Sequence, residues 1–77
     1  MPTFTYLLLY LSSEGAPYSE VADVLESIGF RPHGQGYDFV YDWPRDPTIS
    51  DTLRLADHIH RSLSGLNVGF RIETSEG

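Results

Sequence analysis

The chain has 77 residues, no cysteine, and 11 Asp and Glu against five Arg, for a formal net charge of −6. A chain this short sits near the lower limit of what one core holds unaided, and without cysteine neither a disulfide nor a thiolate metal site can help. The acidic balance argues against nucleic acid and anionic membrane as partners, because both select clustered cations.

Thr3 to Leu11 forms a strand that is apolar on both sides. Leu7, Leu9 and Leu11 share one face, and Phe4, Tyr6, Leu8 and Tyr10 share the other. A strand of that kind belongs in the middle of a sheet. No cation precedes Arg31, so this apolar start lacks the basic region of a signal peptide. No stretch is long enough to span a membrane, and a cytoplasmic location is expected. Ser12 to Ala16 connect to a first helix over about Pro17 to Ile28. Its stripe is Val21, Val24, Leu25 and Ile28, at i, i+3, i+4 and i+7. Pro17 suits the first turn, and Gly29 the left-handed stop.

A short second strand, Phe30 to His33, is demoted to an edge by Pro32. Gly34-Gln35-Gly36 makes a hairpin turn into a third strand, Tyr37 to Trp43. Tyr37, Phe39, Tyr41 and Trp43 should share its buried face, leaving Asp38, Val40 and Asp42 outside. Thr48-x-x-Asp51 reads as a capping box opening a second helix, about Ile49 to Ser64. The stripe expected to be buried there is Ile49, Leu53, Ala56, Ile59 or His60, and Leu63. Asn67 to Thr74 alternates as a half-exposed fourth strand, with Val68, Phe70 and Ile72 in and Gly69, Arg71 and Glu73 out.

Strand, helix, strand, strand, helix, strand is the split βαβ, or ferredoxin-like, arrangement of the α+β class. Residues 1–77 then form one domain. The expected sheet order is 4-1-3-2, with both helices on one face. Many unrelated activities share this outline, so function must come from a site.

The open sheet face is the first candidate site. Tyr6, Leu8, Tyr10 and Val40 should form an apolar centre there, with Arg71 on its rim. Such a patch marks an interface, and a homodimer through it would also support a small core. The second candidate is the loop before helix 1, where backbone N–H groups of Ser12, Ser13 and Gly15 would hold a small anion. His58 and His60 are two apart on a helix and point to different faces, so no metal is expected. No nucleophile–base–orienter set is visible, and neither catalytic residues nor a cofactor are expected. Lysine is absent, which fits both a GC-rich genome and adaptation to high internal salt.

Several families share the outline. Ser13-Glu14-Gly15-Ala16-Pro17 through to Gly29 resembles ACT regulatory domains: a loop Gly, a short helix, then a Gly before the next strand. The resemblance covers about a fifth of the chain, without that family's acidic-basic-Pro-Gly order. It implies an amino-acid ligand held by the loop at a dimer interface. The aromatic sheet resembles RNA-recognition domains in outline. However, the matching strand, Tyr37-Asp38-Phe39-Val40-Tyr41-Asp42-Trp43, carries two carboxylates and no cation, which phosphates would avoid. An acylphosphatase would need an Arg between strand 1 and helix 1, and residues 12 to 18 contain none. A dimeric α/β-barrel enzyme would have Asp38 and Asp42 as its outward carboxylates.

Overall fold

Burial alternates along the first strand, and the rest of the molecule is arranged around that alternation. A computed structural model describes residues 2–76. The chain runs β1 (Thr3–Tyr10), α1 (Tyr18–Ile28), β2 (Arg31–Pro32), β3 (Phe39–Asp42), α2 (Ile49–Ser62) and β4 (Gly69–Glu76). This is an α+β chain with one four-stranded antiparallel sheet and two helices. The order is β2-β3-β1-β4, or β4-β1-β3-β2 from the other edge. β1 is central, as its two apolar faces require.

Thr3, Thr5, Leu7 and Leu9 of β1 are buried, while Phe4, Tyr6 and Leu8 are half-buried. The buried side meets both helices. Leu7 and Leu9 join Val21 and Leu25 of α1, Phe39 of β3, and Leu55, Ile59 and Leu63 from α2 and its end in one core. Each fully buried aliphatic or aromatic side chain contributes about 1.5–3 kcal/mol. At one end the core side turns polar. The Trp43 Nε1–H donates to Thr5 Oγ1 at 2.8 Å, and the Thr5 and Thr74 hydroxyls lie 2.7 Å apart. These bonds satisfy the polar groups on the core side of that end of the sheet.

Three expectations need correction. The buried side of α2 carries Leu55, Ile59 and Leu63, and not Ile49 and Leu53, which are 80% and 60% exposed. Leu55, Ile59 and Leu63 are spaced i, i+4 and i+8, a stripe as regular as the expected one. β3 begins at Phe39 and not at Tyr37. The Leu9 N–H that would have met the strand there donates instead to the Asp38 carboxylate, at 2.8 Å. Residues 33–38 therefore form a longer turn than Gly34-Gln35-Gly36 alone, and Tyr37 packs on Tyr6, across the sheet from Phe39. Finally, β4 spans Gly69–Glu76, two residues later than expected.

The capping box at Thr48 is complete. Thr48 Oγ1 accepts from the Asp51 N–H at 3.1 Å, and the Asp51 carboxylate accepts from the Thr48 N–H at 2.9 Å. That backbone hydrogen bond holds the Asp51 carboxyl below its ordinary value. Arg31 of β2 makes a two-pronged contact to Asp42 of β3, at 2.8 and 3.1 Å. The same hydrogen bond lowers the Asp42 carboxyl, helped by the charge of Arg31. Both folded-state values are depressed, so their stabilisation is present above the ordinary carboxylate range, about pH 4, and is lost as pH falls through the folded values. The urea midpoint should thus stay level from about pH 7 to pH 5 and fall below about pH 4. Asp42→Asn and Asp51→Asn should each reduce that fall. Wild-type-like acid dependence in both variants would refute the assignment.

Candidate functional site

The even side of β1 faces away from both helices and forms the floor of an open sheet face. Phe4, Tyr6, Leu8 and Tyr10 run along it in a band. The strand register sets Glu73 beside Tyr6 and Arg71 beside Leu8 on the β4 side. Val40 lies beside Tyr6 on the β3 side, and Arg31 beside Val40 beyond it. The centre is apolar and the flanks are charged.

Four of the five residues expected at this face keep a partly or fully open surface. Tyr10 is 53% exposed, Arg71 is exposed, and Tyr6 and Leu8 are half-buried. Val40 is different, at only 2% exposed. It is on the expected face but lies under its neighbours, on the floor of a cleft of about 430 Å³ lined by Phe4, Tyr6, Arg31 and His33. The turn between β2 and β3 rises over the sheet and produces this cleft. His33 packs on Tyr6 with ring centroids 5.3 Å apart, and Tyr37 packs at 5.1 Å. Sequence reasoning missed both contacts. The signal available was the pair Gly34 and Gly36, which permits a turn to leave the plane of the sheet; Gly36 has φ +90°.

The two outward carboxylates already have partners. Asp38 accepts the Leu9 N–H, and Asp42 is paired with Arg31 and held ionised. Asp42 is consequently a poor proton acceptor near neutral pH. Among the described residues, no group of three or more His, Asp or Glu could hold a metal ion. Likewise, no helix there is long and apolar enough to cross a membrane.

The loop expected to hold an anion is folded inward. The Glu14 N–H donates to Ser12 Oγ at 3.2 Å, the Gly15 N–H to the Ser12 carbonyl at 3.0 Å, and the Ala16 N–H to the Leu66 carbonyl at 2.9 Å. Gly15 sits against the 66–67 turn, where a Cβ would come 2.4 Å from the Asn67 carbonyl oxygen. The Gly-containing loop thus has a packing role. Ser12 and Tyr10 border a separate cleft of about 440 Å³ with His60, Asn67 and Phe70, while Ser13 is exposed.

No family model and no curated protein matches the chain. Among solved structures it is similar to the hypothetical protein MJ1052 from Methanocaldococcus jannascii. The TM-score is 0.52 at 11% identity, over 99% of this chain and 80% of that one. That likeness concerns the fold alone.

Gly15→Ala should destabilise the protein by about 1–3 kcal/mol, because the colliding atom is backbone and the loop must move. Gly34→Ala is the control, since nothing lies within 4 Å of its added carbon. Urea denaturation compares the two. Equal stability would show that the 12–16 loop does not pack on the 66–67 turn.

Proposed function

We propose that this chain is a small ferredoxin-like binding domain that acts by association, with the open sheet face as its working surface and a second copy as the simplest occupant. The observation that carries the reading is the unpartnered band Phe4, Tyr6, Leu8 and Tyr10 on the side of the central strand away from the helices. Apolar side chains in a contiguous row on a small acidic domain favour a protein partner over bare solvent.

The face is small. Two eight-residue strands, the four-residue β3 and the two-residue β2, at about 3.3 Å a residue and about 4.8 Å between strands, present roughly 350 Å² per copy. Two copies face to face would bury roughly 700 Å², the size of a weak, reversible contact. Arg71 on one flank, with Asp42 and Glu73 also on the face, offers opposite charges to an inverted copy. Val40 belongs to the support of this surface and not to its contact area.

Two other readings have less behind them. A loop-held amino acid or anion would find the Gly15 N–H already engaged, with those of Glu14 and Ala16 beside it. An enzyme built around the face would rely on Asp38 and Asp42, both engaged elsewhere.

Light scattering at low and high KCl tests the proposal. A dimer held by the apolar band persists at both salts. Leu8→Asp puts a charge in the band without touching the core, so it should give a folded monomer on this face. An unchanged mass for Leu8→Asp would sink the open-face interface.

A further inference from the structure

The outer strands of the sheet are β2 and β4. β2 has two residues and contains Pro32, so it is a blunted edge. β4 has eight residues and no Pro, and its charges, Arg71, Glu73 and Glu76, are of both signs, so its outer edge is long and open to pairing.

The backbone groups that reach this edge can be identified. The Trp43 N–H donates to the Thr3 carbonyl at 3.1 Å, and the Leu9 N–H turns to Asp38. Odd-numbered residues of β1 therefore direct their backbone toward β3. Direction alternates along a strand, so Phe4, Tyr6, Leu8 and Tyr10 direct theirs toward β4. There they meet Ser75, Glu73, Arg71 and Gly69. Phe70, Ile72 and Thr74 are left with N–H and C=O groups pointing out of the sheet.

An inverted second copy of β4 can pair with those groups only when even-numbered residues face even-numbered ones. Two such registers keep seven of the eight residues paired. One sets Glu73 opposite Glu73, at the close, non-hydrogen-bonded position where like charges destabilise. The other centres on Ile72. It sets Ile72 opposite Ile72, Phe70 opposite Thr74, and Arg71 opposite Glu73 on both sides of the axis. Arg71 and Glu73 are exposed, and neither makes an ion pair among the described residues. The charge pattern of the strand is self-complementary in this one register.

The helical layer agrees. Ile49 and Thr52 share a groove with Thr74 and Ser75, and His60 shares a cleft with Phe70. The side of α2 that borders the β4 edge is thus the side carrying the two exposed apolar residues, Ile49 and Leu53.

The geometry points to a second self-association surface: β4 pairs antiparallel with β4 of another copy about Ile72, Arg71 against Glu73, with Ile49 and Leu53 of the two copies on one flank. It goes beyond the open-face reading and does not rest on it, although Arg71 and Glu73 serve both. The edge axis runs along the sheet normal, the face-to-face axis lies in the sheet plane, and both together give a tetramer.

Hydrogen exchange on the intact protein, with light scattering on variants, tests the edge. The Phe70, Ile72 and Thr74 amides should gain protection as concentration rises. Arg71→Glu and Glu73→Arg should each weaken association by roughly tenfold, and the double swap should restore it. Free exchange of those three amides at every concentration, beside protected Arg71 and Glu73 amides, overturns the proposal even if a variant misfolds. Single and double swaps with equal effects overturn the register. Leu8→Asp separates the two readings: it should remove only the open-face contact, leaving the protected edge amides as they are.

Discussion

β1 has strands on both sides and apolar residues on both faces, and everything else follows from satisfying that one segment. Its odd-numbered side chains must be covered, and the two helices cover them with Val21, Leu25, Leu55, Ile59 and Leu63. Its even-numbered side chains are equally apolar, and no layer of the chain covers them fully. The β2–β3 turn does so in part, through His33 and Tyr37 on Tyr6. The remainder is the surface argued to bind. Core and candidate site are two sides of the same eight residues, which ties stability to function in this small domain.

Much of this was legible from residue pattern. Alternating and helical periods placed every element, and the Thr48–Asp51 box marked the start of α2. Where the pattern was ambiguous, tertiary contacts decided. Ile49 and Leu53 on one stripe and Leu55 and Ile59 on another are both reasonable helical faces, and only the sheet beneath selects between them. The alternation of Tyr37, Phe39, Tyr41 and Trp43 reads as a strand that starts at Tyr37. The Asp38 carboxylate breaks that alternation by taking a strand N–H, which nothing local announces. The same holds for Gly15. A glycine between a strand and a helix suggests an anion loop and a close backbone contact alike, and the Asn67 carbonyl settles it as the latter.

The site was legible in outline and not in detail. Tyr6, Leu8, Tyr10 and Arg71 follow from alternation once the central strand is known. Val40 does not, because its covering comes from Arg31 and Tyr6, far away in sequence or on another strand. The likeness to a hypothetical protein at 11% identity supports the fold and carries no activity with it. The proposed function rests on the unpartnered surfaces themselves, the open face and the β4 edge.

The claim on which the account stands is the two-sidedness of β1. Urea unfolding of Leu7→Ala and Leu8→Ala, at a concentration low enough to keep the protein dissociated, tests it most directly. Leu7 is fully buried and Leu8 is half-buried on the far side of the sheet. Leu7→Ala should cost about 2–5 kcal/mol, and Leu8→Ala less than about half as much. Equal losses, or a larger loss for Leu8→Ala, would mean that the helices cover the other face and that the open surface described is the core.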